Sequence, residues 1–249
     1  AFLAALLAFF SFVKSMFQSE TYALASVLFL ATSQMSWYYS ITINSYVAEL
    51  FGATIVVFLC WSSSQKKSVN WAIVSTLAWS MAGAIRPFLL LTMAPLWLFT
   101  HWSFFREKKS FLLLITVAVL SILSWFIPMV SSSGSYQNYR LASNSLYGAV
   151  MASSSLFSPK PLLSLWKNFN NLIQALYLCL GPFLLFLFLN PLGELSNDKR
   201  RFFLLWLLPP VAFYLLFHFG RPGYLMTVAP AFLLLSSLKA FKSGRVLLY

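Results

Sequence analysis

Charge, and acidic charge above all, is what this chain has least of: 9% of its 249 residues are charged, with 5 Asp and Glu against 17 Lys and Arg. So few polar groups cannot cover a water-facing surface, which excludes an ordinary soluble domain. Cysteine is nearly absent as well. Cys60 and Cys179 both fall inside apolar segments, where they read as small core residues rather than as a disulfide or a metal pair. None of the metal-ligand spacings, nucleophile triads or glycine-rich phosphate loops is present, so no metal ligands are assigned and no cofactor is evident, and the sequence leaves a divalent-metal requirement undecided.

What the chain has instead is apolar surface, with 60% hydrophobic and 18% aromatic residues and a mean hydropathy of +0.78. Uncharged runs of this length predict an all-α, polytopic bundle of transmembrane helices, because a helix satisfies its own backbone in lipid. Nine spans are expected, over 1–17, 21–39, 46–61, 69–85, 87–102, 110–129, 171–190, 202–219 and 224–238. The whole chain, 1–249, reads as one transmembrane domain, with 131–170 an extracytoplasmic loop interrupted by Pro159 and Pro161. It starts inside an apolar segment, with no initiator methionine and no cleavage pattern, and is read as a fragment whose first helix and first outer loop are missing.

The formal charge of +12 does not point to nucleic acid, because the basic residues sit in short clusters between apolar runs. They report topology. With the C-terminus inside, Lys14, Lys66, Lys67, Arg106, Lys108, Lys109, Lys199, Arg200, Arg201, Lys239, Lys242 and Arg245 fall on the cytoplasmic side. Arg86, Arg140, Lys160, Lys167 and Arg221 fall outside, on the face that normally sheds cations.

Two of those outer arginines sit in matching sequences, Gly83-Ala84-Ile85-Arg86-Pro87 and Gly220-Arg221-Pro222-Gly223-Tyr224. Proline in the first turn of a helix lacks only an N–H that would have gone unpaired, so each Arg-Pro predicts the start of a returning helix. A helix N-terminus beside a guanidinium suits an anion. Arg86 and Arg221 are therefore the expected phosphate ligands. Glu49, the single carboxylate assigned to the outer face, reads as a charge favouring its own helix dipole or, functionally, as an ion pair with Arg86, a hydrogen-bond partner for a sugar hydroxyl or a general base. His218 reads either as a polar cap or as an acid or base near neutral pH. Tyr38, Tyr39, Tyr136, Tyr139 and Tyr224 suit sugar stacking or an interfacial belt, and Arg140 lies in the same tyrosine-rich patch. Lys160 and Lys167 read as snorkelling cations and His101 as interfacial.

Three runs taken together resemble a known family: Ser36-Trp37-Tyr38-Tyr39 with Tyr46 and Glu49, Gly83 to Pro87 with Pro95-Leu96-Trp97, and Gly220 to Tyr224 with Pro230. In order and spacing they resemble the GT-C membrane glycosyltransferases, the bacterial relatives of the dolichyl- and polyprenyl-phosphate-mannose protein mannosyltransferases. The resemblance implies inverting transfer of one sugar from a polyprenyl-phosphate donor to a lipid, glycan or protein acceptor, on the extracytoplasmic face of the bacterial plasma membrane. It implies Arg86 and Arg221 on the donor phosphate, with Glu49, Tyr139, Arg140, His218 and Tyr224 lining the cavity. It also implies a catalytic aspartate in the first outer loop, and here the chain departs, with no aspartate outside. Two other functions fit the same pattern, a polyprenyl-pyrophosphate glycan ligase or polymerase and a non-enzymatic transporter or flippase.

Overall fold

The computed structural model describes residues 1–42, 45–181, 184–188, 191–217 and 221–246, with side chains for all of these except 146, 147, 149–151, 153, 186, 191, 194 and 239–246. Every regular element among them is helical. Helix α1, Phe2–Phe17, ends where Gln18 turns into the left-handed region at φ 54. Ser19 then caps α2, Glu20–Thr32, accepting a hydrogen bond from the Tyr22 N–H at 3.2 Å. An ion pair between Lys14 and Glu20 closes the turn, and its lysine holds the Glu20 carboxyl below the usual carboxylate range.

The expected single segment 21–39 is two helices. Ser33 takes extended backbone, φ −63 and ψ 137, and its hydroxyl accepts from the Ser36 N–H, so it both ends α2 and caps α3, Gln34–Ile41. Helix α4, Tyr46–Lys66, runs unbroken to Lys67, whose left-handed backbone returns its N–H to the Ser63 carbonyl at 2.9 Å. Helix α5 is Val69–Ile85, α6 is Phe88–Phe105 and α7 is Lys108–Ser132.

The segment expected as a loop, 131–170, is mostly helical. Ser135 accepts from the Asn138 N–H to cap α8, Tyr136–Ser154, and Pro161, expected as a breaker, opens α9, Pro161–Leu180, in its first turn. The remainder comprises α10, Leu184–Leu187, a 3-10 turn at Pro191–Glu194, α11, Asn197–Leu216, a 3-10 helix at Pro222–Thr227 and α12, Ala229–Val246. The return after Arg221 thus starts as a 3-10 helix before α12 takes over, where a continuous helix over 224–238 was expected.

Three of these helices, α4, α6 and α7, are long and apolar enough to cross a membrane, and α1, α2, α5 and 229–238 are shorter apolar helices. Helix α4 is the centre: α1, α5 and α6 all pack on it, while α7 lies outside against α5. Leu112, Leu113, Val119, Leu120 and Ile127 of α7 are all exposed, an apolar face suited to lipid rather than water. In lipid, helices are held together by close contact and hydrogen bonds rather than by withdrawal from water. The core shows both. Phe12 stacks on Phe202 at 5.9 Å and meets Trp206 edge-on at 5.7 Å, and the buried Trp97 donates its indole N–H to Thr76 at 3.0 Å.

This packing sorts the cations by helix end. Lys199 of α11 lies over Phe17 at the end of α1, next to the ends of α4 and α6 that carry Lys66 and Arg106. Arg86 and the Arg221 turn gather at the opposite end, as the ring contacts below show.

Candidate functional site

Both Arg-Pro steps have the same local geometry, and for the same reason. Proline ring atoms crowd the preceding residue out of the helical region, and Arg86 (φ −155, ψ 120) and Arg221 (φ −151, ψ 147) are both extended. Arg86 therefore ends α5, its N–H still reaching the Ala82 carbonyl at 3.2 Å, and its own carbonyl starts the next turn by accepting from Leu89 at 2.9 Å. The extended backbone swings the side chain away from α5 and toward the start of α4.

There Arg86 Nη2 donates to Glu49 Oε1 and to Ser45 Oγ, each at 3.0 Å, and Ser45 Oγ donates to Glu49 Oε1 at 2.9 Å. Ser45 stands at the N-cap of α4 but makes no side-chain cap bond, its hydroxyl being committed to this triangle. Glu49 is fully buried and the Arg86 side chain is 19% exposed. One carboxylate oxygen, Glu49 Oε2, is buried with no hydrogen-bond partner among the described residues. A carboxylate in that state is destabilising unless something else donates to it.

Tyrosines wall the pair. The guanidinium lies 4.8 Å from the Tyr224 ring centroid and 5.4 Å from that of Tyr46, within reach of cation–π attraction. Tyr46 meets Tyr224 edge-on at 5.5 Å and Tyr39 at 4.8 Å, and Tyr214 of α11 lies 5.1 Å from Tyr224. Gly223 makes this packing possible: a Cβ there would stand 2.6 Å from Tyr46 Cδ2 and 2.8 Å from Tyr39 Cζ. Arg221, two residues before it on the same turn, is exposed. It forms no ion pair among the described residues.

Of the residues singled out in the sequence, Glu49, Arg86 and Tyr224 come together, with Arg221 on the turn beside them. Tyr139 and Arg140 do not join them. They stand on α8, which packs on α9 and α7, where Tyr139 sets its ring edge-on to Phe126 at 5.9 Å and Arg140 is exposed. His218 lies outside the described residues. Arg86, expected to face an anion directly, already holds a carboxylate, so its positive charge is compensated within the protein. Tyr214 and Ser45 are the members the sequence did not single out; the signal for Tyr214 was a phenol in the otherwise apolar run 202–216, which must find a polar partner when buried.

No group of three His, Cys, Asp or Glu side chains that could hold a metal gathers among the described residues. Chemically, the arrangement offers acceptor capacity at Glu49, guanidinium donors at Arg86, a cation at Arg221 with no ion pair among the described residues, and aromatic walls. Comparison of the chain with protein-family models, curated proteins and solved structures yields no match.

Proposed function

We propose that this chain belongs to a nine-span, GT-C-like membrane glycosyltransferase that moves a sugar from a polyprenyl-phosphate donor to an acceptor. The observation that supports this reading is the buried Glu49–Arg86 pair, ringed by Tyr39, Tyr46, Tyr214 and Tyr224 and flanked by Arg221 at one end of the bundle. On this reading the end carrying Arg86 and Arg221 faces the extracytoplasmic side of a bacterial plasma membrane, and the C-terminus is cytoplasmic.

The proposed division of labour follows the charges. Arg221 meets the donor phosphate as a full cation, and Arg86 meets it through N–H groups that Glu49 and Ser45 do not use. Glu49 Oε2 accepts from a sugar hydroxyl, which relieves its missing partner, and the tyrosine faces stack on the ring. In transfer, the acceptor hydroxyl oxygen bonds to the anomeric carbon, the bond from that carbon to the phosphate oxygen breaks, its electron pair leaves with the phosphate, and the acceptor's proton passes to the departing phosphate or to solvent water. Negative charge grows on that phosphate in the transition state, so fixed cations there accelerate the step. No residue of the cluster is proposed as the base.

Transfer from a radiolabelled polyprenyl-phosphate sugar in membranes tests the assignment. Arg221→Ala should lower it by about 10² or more, the usual scale for losing one transition-state donor, while Lys160→Ala on the exposed start of α9 leaves it within about twofold. Equal, mild effects would sink the phosphate role. Release of polyprenyl pyrophosphate in the same assay would instead favour the ligase, and uptake without covalent change the transporter.

A further inference from the structure

The far end of α4 carries a second polar site, separate from the proposed donor site. Ser63 is fourteen residues beyond Glu49, about 21 Å along the helix at 1.5 Å per residue. A cavity of about 210 Å³ opens there between the ends of α4 and α6 and the start of α11, lined among others by Trp61, Ser63, Lys67, Phe99, Asp198 and Phe202. Its inner wall is unsatisfied: the Trp61 indole N–H and the Ser63 hydroxyl are both buried with no hydrogen-bond partner among the described residues, on side chains that are 6% and 0% exposed. Buried donors of this kind are rare unless something supplies an acceptor.

The mouth carries one charge of each sign. Lys67 and Asp198 are exposed, and neither forms an ion pair among the described residues. Two buried donors behind its wall and an ammonium at the rim suit a phosphate, and a carboxylate at the same rim suits a small ammonium. The cavity also lies at the ends of α4 and α6, two helices long enough to cross a membrane, which is the depth of lipid headgroups.

We propose that this cavity binds a phosphoethanolamine group, its phosphate on Ser63, Trp61 and Lys67 and its ammonium on Asp198. The source is either the headgroup of phosphatidylethanolamine or free phosphoethanolamine, and the chemistry of recognition is shared. Choline, whose quaternary nitrogen has no N–H to donate to Asp198, and glycerol, which brings no cation, fit less well.

Native mass spectrometry of the detergent-purified protein tests this, with titration by phosphatidylethanolamine, phosphatidylcholine, phosphatidylglycerol and free phosphoethanolamine. Phosphatidylethanolamine should bind about tenfold more tightly than the other two lipids, and Ser63→Ala and Asp198→Asn should each weaken it about tenfold. Binding of free phosphoethanolamine with the same response to the two variants assigns a soluble ligand; binding of the lipid alone assigns a headgroup site. Arg221→Ala, at the opposite end, should leave headgroup binding unchanged even where it abolishes sugar transfer, so the two assignments fail separately. Equal binding of the three lipids, no binding of any probe, or indifference to both Ser63→Ala and Asp198→Asn in variants that keep wild-type helicity by circular dichroism would overturn the proposal.

Discussion

Replacing Arg86 by alanine should cost about 3–5 kcal/mol of stability, the usual cost of stranding one member of a buried ion pair. Glu49 is fully buried, and Arg86 is its single cationic partner among the described residues. Its Oε1 would keep the Ser45 hydroxyl at 2.9 Å, while Oε2 already has no partner among the described residues. The loss comes from the carboxylate left behind rather than from the missing attraction. The double variant Glu49→Gln with Arg86→Gln, which leaves no buried charge, should therefore recover most of what Arg86→Ala loses. Thermal unfolding in detergent, read as the midpoint for each single and for the double variant, checks this. A double variant no more stable than Arg86→Ala would show that the pair is held by something other than charge compensation.

Gly223→Ala should be nearly as damaging to the site although it adds one methyl group. The new Cβ would stand 2.6–2.7 Å from two Tyr46 ring carbons and 2.8 Å from Tyr39 Cζ, closer than carbon atoms approach. Neither ring can yield freely. Tyr46 is braced by Tyr224 on one side and Tyr39 on the other, and Tyr39 is buried. Overpacking of this kind costs about 1–3 kcal/mol, and it pushes the 3-10 helix carrying Tyr224 and Arg221 away from Arg86. On the proposed function, sugar transfer should fall by at least about tenfold, because displacement by about 1 Å is enough to lose positioning. Gly148→Ala, inside α8 where a Cβ meets nothing within 4 Å among the described residues, serves as the control: it should leave transfer unaltered and raise stability, if it moves it at all, by about 0.5–1 kcal/mol.

Much of this site could be read from residue order. The two Arg-Pro steps were legible because proline acts on its immediate neighbour: the extended backbone at Arg86 and Arg221 needs no tertiary information. The bounds of α5, Val69–Ile85, follow from the polar Ser68 before it and the Arg-Pro after it. What proline did at Pro161 was harder to see, since the same residue that breaks a helix internally also starts one. Helix α8 hid for another reason. None of its described side chains is buried, and the Ser- and Asn-rich run 131–154 showed no helical period and looked like loop.

The pairing of Glu49 with Arg86 could be anticipated from charge scarcity, but not that Ser45 would bridge them or that Tyr214, ten residues before Tyr224, would pack beside it. Those contacts depend on how α4 meets the end of α5 and how α11 meets the 3-10 helix Pro222–Thr227. The break between α2 and α3 is intermediate. Thr32-Ser33-Gln34 is a polar step in an apolar run, yet only the Ser33 backbone shows that it ends one helix and caps another.

The central claim is that this end of the bundle holds a lipid-borne phosphate. Its most direct measurement compares binding of a polyprenyl monophosphate with that of the matching uncharged polyprenol to the purified protein in nanodiscs. The account predicts that the phosphate binds at least about tenfold more tightly, and that Arg221→Ala removes the difference. Equal affinity for the two lipids, or a preference for phosphate that survives Arg221→Ala unchanged, would contradict it.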